Sequence, residues 1–292
     1  MQDEIDSFLE CLKEKDASPA TVTNYGFDLA KFKRWYRETT GQEVDLATVG
    51  PLDIAEFRQH LLNRGQKPAS INRALAALSA FFNWAVKEGY ARTNPVREVK
   101  RVRQVAPAPK ALGRKDMLRL MRAVRAGGNT RDIAIVTLLL HAGLRVAELC
   151  ALNTEDLRLG ERSGEVRVRY GKGMKERIVP LNSTARRALQ DWLEERGDAP
   201  GPVFTRQKGF TCEGITPRRV QYMIRDYAVA AGLEGVSPHT LRHTFCKSLV
   251  DAGESLDRVA ALAGHANLNT TARYTQPTQK DLQKAVDRLA WE

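Results

Sequence analysis

The stretch SPHTLRHTF, residues 237–245, holds two histidines and an arginine close together. His239 and Arg242 are three residues apart, so they lie on one face of a helix and can bind the same phosphate. His239 and His243 also have the i, i+4 spacing of zinc-binding histidines, but the metalloprotease motif requires a glutamate where Thr240 stands. The cationic Arg242 further disfavours a metal. The stretch therefore disfavours a metal site, and His243 is predicted to be structural.

Three further short stretches contain residues that could carry chemistry. They are HAGLRVAEL (141–149) with Arg145 and Glu148, YGKGMKER (170–177) with Lys172, and AGHANLNTTARY (263–274) with His265 and Tyr274. Each motif is weak by itself, because an isolated tyrosine near a helix end is more often packed than reactive. Together, and in this order, the four stretches form a specific signal.

The charge of the chain indicates a polyanionic partner. Its formal net charge is +11, and nucleic acid is the commonest large polyanion for a basic protein. Residues 1–64 carry 8 Lys/Arg against 12 Asp/Glu, residues 65–103 carry 8 against 2, and residues 104–292 carry 30 against 21. A basic surface therefore begins after the first helices and continues into the second half.

Several other classes of protein are disfavoured. The longest apolar stretch, IAIVTLLLHAGL at 133–144, has 12 residues and predicts a buried helix rather than a membrane span. The N-terminus, MQDEIDSFLECLKEKD, has acidic residues where a secretory signal has basic and then apolar ones, so we expect a cytoplasmic protein. The four cysteines lie far apart, which predicts reduced, packed thiols.

Helical periodicity dominates the first hundred residues. Ser18 followed by Pro19 predicts the start of a helix. Its apolar residues recur at helical spacing, namely Val22, Tyr25, Leu29, Phe32 and Trp35. A longer helix is predicted from Pro68 to the vicinity of Gly89.

The pattern changes after this helical region. RVRQVAPAPKALG, residues 101–113, is rich in alanine and proline and is typical of an extended interdomain linker. In GEVRVRYGKGMKERIVPL, residues 164–181, apolar and charged residues alternate on both sides of a glycine-rich turn. This pattern predicts a β-hairpin with Lys172 near its tip.

In their order and spacing, the four motifs resemble the tyrosine recombinase family, also called phage integrases, and especially its Xer-like members. The separations from Arg145 to Lys172, from Lys172 to His239 and from His265 to Tyr274 are 27, 67 and 9 residues. The resemblance implies a mainly α fold with a small β-hairpin or sheet, arranged as a two-domain DNA clamp. A helical core-binding domain would span 1–100, a linker 101–112 and a tyrosine-recombinase catalytic domain 113–292. The last helix, with Leu282, Val286 and Leu289 at helical spacing, would dock on a neighbouring protomer.

The motif residues suit the strand cleavage that the resemblance implies. Attack on a DNA phosphate produces a five-coordinate phosphorus whose equatorial oxygens gain negative charge, and fixed cations stabilise that state. Arg145 and Arg242 would clamp these oxygens with paired hydrogen bonds, and His239 would donate to the same phosphate. Glu148, three residues after Arg145, would hold the arginine and a neighbouring histidine in place, although a surface ion pair is nearly as plausible.

The other three motif residues would handle protons and the covalent bond. Lys172 would protonate the leaving 5′ oxygen as general acid, although an exposed turn lysine is the simpler alternative. His265 would orient the phenol of Tyr274 or accept its proton, and Tyr274 would attack to form a 3′-phosphotyrosyl link.

The resemblance also implies the partners of the protein. These are double-stranded DNA recombination sites, a tetramer of protomers that exchanges strands through a Holliday junction, and a possible partner recombinase or accessory protein. Neither a metal nor a nucleotide cofactor is expected. Further DNA contacts are predicted at four basic residues, Arg73, Lys87, Arg101 and Arg103.

Alternative functions remain open at this level. A type IB topoisomerase uses similar chemistry but relaxes supercoils without exchanging partners, and a non-catalytic DNA-binding regulator would share the basic charge. A structural helical protein is disfavoured by the clustered cationic motifs. Within the recombinases, the segment after Tyr274 departs from the usual Xer pattern, so both chromosome dimer resolution and a mobile-element role are possible.

Overall fold

The computed structural model describes residues 1–103, 110–169, 176–206, 213–265 and 267–275, together with residues 283, 286 and 287. They belong to two compact units, Met1–Ala106 and Pro107–Glu292. In the described part of the chain, no helix is both long enough and apolar enough to cross a bilayer.

The first unit is helical. Its helices are α1 (Gln2–Glu14), α2 (Pro19–Thr40), α3 (Pro51–Asn63) and α4 (Pro68–Lys87), followed by a 3₁₀ turn at Pro95–Glu98. The predicted start at Ser18 is confirmed, because its hydroxyl accepts a hydrogen bond from the backbone N–H of Thr21 at 3.2 Å and Pro19 follows. Aromatic rings fill the core, and those of Phe32 and Phe57 meet edge to face at 5.2 Å.

The second unit is also mainly helical. It contains α5 (Arg114–Ala126), α6 (Thr130–Ala142), α7 (Val146–Cys150), α8 (Ser183–Arg196), α9 (Pro217–Ala230), α10 (Pro238–Asp251), α11 (Leu256–Ala263) and α12 (Leu268–Ala272). The apolar stretch that predicted a buried helix forms α6, which packs against α8 and α10. The mainly helical fold class is thus confirmed.

A three-stranded antiparallel sheet interrupts the helices of the second unit. Its strands are β1 (Leu157–Leu159), β2 (Gly164–Val168) and β3 (Arg177–Pro180), in the order β1-β2-β3. The predicted hairpin is confirmed, since β2 pairs with β3 and Val166 lies opposite Val179. Sequence reasoning missed β1, because three residues are too few to show a period of two. Lys172, at the expected tip, lies outside the described residues.

The described ends of the predicted linker are attached to their own units. In the first unit, the Asn72 side chain exchanges two hydrogen bonds of 2.9 Å with the backbone of Val102. In the second unit, the N–H of Leu112 donates to the Thr244 hydroxyl at 2.9 Å. The domain limits at 100 and 113 stay a prediction. Of the predicted docking helix, Leu282 and Leu289 lie outside the described residues, and Val286 is helical and exposed.

Candidate active site

Helix α10 carries a row of functional side chains on one face. It begins with a reciprocal cap, in which the Ser237 hydroxyl and the Thr240 backbone N–H are 3.2 Å apart and the Ser237 N–H reaches the Thr240 hydroxyl at 3.2 Å. Thr240, which stands where a zinc motif has glutamate, is therefore a capping residue. His239 lies within this capped turn, and Arg242 and His243 follow it.

Arg242 is buried and held by two backbone carbonyls. Its side chain donates to the carbonyl oxygens of Gly143 and Ala263, both at 2.5 Å. Burial, together with repulsion from Arg145, lowers the pKa of Arg242 to about 10, so the guanidinium stays charged at neutral pH. The position of Gly143 requires glycine, because its φ is +61° and a Cβ there would come within 2.2 Å of the Phe245 ring.

Arg145 precedes α7 and is tied to Glu148, as the sequence predicted. Its Nη1 donates to Glu148 Oε1 at 2.6 Å, its backbone N–H donates to Oε2 at 2.8 Å, and its Nη2 donates to the Gly264 carbonyl at 2.8 Å. The Arg145 side chain is nevertheless 41 % exposed, whereas that of Glu148 is 3 % exposed. Arg145 can thus face a ligand from a fixed position.

Sequence reasoning missed a third arginine, Arg177. Its Nη1 and Nη2 donate to the two carboxylate oxygens of Glu148 at 3.0 and 2.7 Å, and its Nε donates to the Leu262 carbonyl at 3.1 Å. Burial raises the pKa of Glu148, but the hydrogen bonds from Arg177 and Arg145 outweigh it and the pKa lies below its ordinary value. Glu148 is therefore ionised and shared. None of its described hydrogen bonds comes from a histidine, contrary to the expectation that it would also hold a histidine.

One sequence signal could have identified Arg177. In a strand, residues two apart face the same side of the sheet. Arg177 is in phase with the buried Val179, whereas Ile178 between them is 56 % exposed. An arginine on the inner face of a strand needs an internal partner, which here is Glu148.

The nucleophile predicted from the sequence, Tyr274, lies in a 3₁₀ turn at Arg273–Thr275 and is 3 % exposed. Its hydroxyl forms a hydrogen bond with Nδ1 of His243, and the thiol of Cys246 lies near it. Burial, followed by the effect of Cys246, raises the pKa of Tyr274 well above its ordinary value. The phenol is therefore protonated at rest and must lose its proton during any attack.

Two histidines lie beside Tyr274, and His243 rather than His265 contacts its hydroxyl. His243, which we expected to be structural, contacts the Tyr274 hydroxyl. His265, which we expected to orient the phenol or take its proton, lies parallel to the Tyr274 ring with centroids 6.4 Å apart, and its Nδ1 is 2.9 Å from the Thr271 hydroxyl. Burial lowers the pKa of both histidines to about 4, with nearby His239 and arginines adding to the effect. Both are neutral at pH 7, so His243 can accept a proton.

His239 lies beside His243, with ring centroids 4.0 Å apart. His239 is exposed, but part of its imidazole is packed against the protein. This partial burial, followed by the charges of Arg242, Arg273 and Arg145, lowers the pKa of His239. The structure therefore brings His239 and Arg242 into one cationic environment, as their spacing predicted.

The predicted DNA contacts lie on the first unit. Arg73 donates two hydrogen bonds, of 2.8 and 3.1 Å, to the fully buried carboxylate of Asp28. Part of its hydrogen-bonding capacity thus serves the fold. Lys87, Arg101 and Arg103 are exposed. Among the described residues, no group of three or more His, Cys, Asp or Glu side chains has the arrangement of a metal site.

The fold and the site together define a mainly helical protein whose second unit holds a buried tyrosine hydroxyl beside a histidine and near two arginines. Residues 110–281 match the phage integrase family, and residues 5–89 match the phage integrase N-terminal SAM-like domain. The chain therefore belongs to the phage integrase family, whose members are the tyrosine recombinases.

Individual relatives agree with this assignment. The chain is 35 % identical to tyrosine recombinase XerC of Thermodesulfovibrio yellowstonii, over 97 % of this chain and 95 % of that one. It is 34 % identical to tyrosine recombinase XerD of Caulobacter vibrioides, over 96 % of this chain and 94 % of that one. These names favour neither the topoisomerase nor the non-catalytic regulator.

Solved structures share the fold. The XerH site-specific recombinase bound to a palindromic difH substrate superposes with a TM-score of 0.77 and 22 % identity, over 95 % of this chain and 82 % of that one. A lambda integrase dimer bound to a COC′ core site superposes with a TM-score of 0.76 and 18 % identity, over 100 % of this chain and 98 % of that one.

Proposed function

We propose that this chain recombines double-stranded DNA at specific sites, with Tyr274 as the nucleophile. The observation that carries the proposal is the surroundings of the Tyr274 hydroxyl. It is buried, hydrogen bonded to the neutral imidazole of His243, and close enough to Arg242 and Arg273 for their charges to lower its pKa against the effect of burial. Such an arrangement suits transfer of a phosphoryl group to a phenol.

In the proposed reaction, Tyr274 Oη attacks the scissile phosphorus while Nδ1 of His243 takes the phenol proton. The bond to the 5′ oxygen breaks, and Lys172 protonates that oxygen as it leaves. The product is a 3′-phosphotyrosyl link and a free 5′ hydroxyl. Attack by the 5′ hydroxyl of another strand reverses these steps, so the phosphodiester bond is conserved and no nucleotide is consumed.

Arg145 and Arg242 are proposed to bind the phosphate oxygens. A guanidinium has five N–H donors, and each of these arginines uses two of its own in the described side-chain hydrogen bonds. The remaining donors can form the paired hydrogen bonds that phosphate favours. His239, exposed on the same helix face as Arg242, can add another. We propose that His265 orients the phenol, because its ring lies parallel to that of Tyr274.

The proposed substrate is a pair of DNA sites held by a tetramer that passes through a Holliday junction. The solved relatives XerH and lambda integrase are both bound to DNA, which supports DNA as the partner. Lys87, Arg101 and Arg103, all exposed, would add phosphate contacts from the first unit. The two domains would grip the duplex as a clamp. A partner recombinase, an Xer-like role and a mobile-element role remain separate versions of this proposal.

The test is covalent trapping on a nicked DNA site. Tyr274→Phe removes only the attacking oxygen, so DNA binding in a gel shift should persist while the covalent protein–DNA product disappears. Tyr227→Phe is a matched control, because it removes a hydroxyl that binds Asp132 at 3.0 Å elsewhere in the unit. Covalent product from Tyr274→Phe would contradict the assignment. Incubation with supercoiled two-site plasmids then separates recombination, which gives exchanged products, from relaxation, which gives only topoisomers.

A further inference from the structure

Three arginines converge on the last turn of α11. Arg177, Arg242 and Arg145 donate to the carbonyls of three successive residues, 262, 263 and 264. The carbonyls at a helix C-terminus have no partner within the helix and carry partial negative charge, so they are suitable acceptors for cations. This turn therefore sets the positions of the two proposed phosphate ligands and of Arg177 together.

Arg177 differs from the other two arginines in how it is used. Its side chain is 12 % exposed, and its Nε, Nη1 and Nη2 all have acceptors within the protein. In their described side-chain hydrogen bonds, Arg145 and Arg242 each use only Nη1 and Nη2. Arg177 therefore has fewer donors left for a phosphate than either of them, and its guanidinium binds Glu148 instead.

The charge balance around Glu148 gives Arg177 a specific task. A carboxylate paired with Arg145 alone would cancel the positive charge that Arg145 offers to a phosphate. Because Arg177 binds the same carboxylate through both oxygens, the three arginines and Glu148 keep a net charge of +2. Without Arg177 the net charge would be +1.

We propose that Arg177 is a positioning residue that offsets the charge of Glu148, so that Arg145 stays both fixed in place and electrostatically available to the scissile phosphate. The inference rests on the proposed function of the site. The competing explanation is mechanical, namely that Arg177 only fastens β3 to α11 and α7.

A double-mutant cycle separates the two explanations. Arg177→Gln lowers the net charge to +1, and adding Glu148→Gln returns it to +2 while keeping an acceptor at position 148. Arg177 contacts Glu148, and Glu148 contacts Arg145, so the three side chains are energetically coupled. We therefore expect Arg177→Gln to slow single-turnover cleavage by about tenfold or more. The charge proposal expects the double variant to cleave about tenfold faster than Arg177→Gln. A mechanical role expects the double variant to be as slow or slower, since a second contact is lost.

Two further variants sharpen the cycle. Arg177→Lys keeps the charge but loses the two-pronged hydrogen bond, so it should cleave faster than Arg177→Gln. Arg169 precedes the same hairpin turn but pairs with Asp156 and with Glu155, the latter at 3.1 Å. In an Arg169→Gln background, Glu148→Gln should therefore give no rescue. Rescue in both backgrounds would overturn the proposal.

The outcome is interpretable even if a variant unfolds. If Arg177→Gln does not fold, the Arg177→Gln/Glu148→Gln double variant provides the test. A double variant that folds and cleaves at a rate within about tenfold of the unmutated protein would support charge compensation. An inactive or unfolded double variant would overturn it. Wild-type and Tyr274→Phe samples in the same trapping assay test the proposed function separately. No covalent product from the wild type, or equal product from Tyr274→Phe, would reject that function whatever the Arg177 series gives.

Discussion

The proton acceptor for Tyr274 can be identified by replacing His243 with glutamine. Ionising an ordinary tyrosine at pH 7 costs about 4 kcal/mol, because each unit between the pKa and the pH costs about 1.4 kcal/mol. Burial raises the pKa of Tyr274 further, so prior ionisation would cost more than this. A base that takes the proton during attack avoids that cost. His243→Gln keeps an acceptor but not a base, and we expect cleavage to fall by about 10²- to 10⁴-fold.

The pH dependence of cleavage provides the diagnostic readout. With a pKa of about 4, His243 is already neutral at pH 6, so the wild-type rate should not fall between pH 8 and 6 through protonation of this residue. In His243→Gln, attack depends on the small tyrosinate fraction, so the rate should rise about tenfold per pH unit. Single-turnover trapping on a nicked site between pH 6 and 9 measures both.

His265→Gln is the comparison variant. His265 faces the ring of Tyr274 rather than its hydroxyl, so its loss should lower the rate without introducing the steep pH slope. The assignment of the base to His243 would be refuted if His243→Gln cleaved within about threefold of the wild type, far above the loss expected for a missing base. A steep slope in His265→Gln alone would transfer the role to His265.

Four further outcomes are expected. Gly143→Ala should destabilise the protein by about 2–5 kcal/mol in denaturant unfolding, because the new Cβ would be strained at a positive φ and would clash with the Phe245 ring. Gly253→Ala is the control, because Gly253 has φ +89° but no atom near the position of a Cβ, so it should show only the backbone strain. The pKa values of His243 and His265 are about 4 in the folded protein, against about 6.5 in the unfolded chain. As pH drops from about 6.5 to 4, the unfolded chain takes up protons at these histidines before the folded protein does, so the free energy of unfolding should fall. Either glutamine variant should make that fall smaller. Lys172→Ala should cleave the normal substrate poorly but should regain cleavage on a substrate whose leaving 5′ oxygen is replaced by sulfur, because sulfur departs without a proton. Equal impairment on the oxygen and sulfur substrates would reject Lys172 as the general acid. DNA affinity should drop by orders of magnitude between about 50 and 200 mM salt, and a flat response would argue against phosphate contacts.

Local patterns accounted for much of the fold. The cap at Ser18, the buried helix α6 and the hairpin of β2 and β3 follow from capping chemistry and apolar spacing, which act over a few residues. The side of α10 shared by His239 and Arg242 follows from the same helical period. These features need no knowledge of the rest of the chain.

The identity of the site residues came from the four motifs together, but their contacts did not. From sequence, His265 was the expected partner of the Tyr274 hydroxyl, yet His243 contacts it because α10 passes beside the turn at 273–275. Likewise Arg73 was expected on DNA, and a buried Asp28 from another helix binds part of its guanidinium.

The sequence by itself determined which residue types were available, namely a histidine and an arginine on one helix face, a carboxylate three residues after another arginine, and a tyrosine. Tertiary structure alone decided that Arg145, Arg177 and Arg242 meet on one helix end, through contacts that span 119, 85 and 21 residues. The physical reason is that periodicity reports only which side of its own element a residue occupies. Which hydrogen-bond acceptor lies on the other side depends on how α7, β3 and α10 pack against α11.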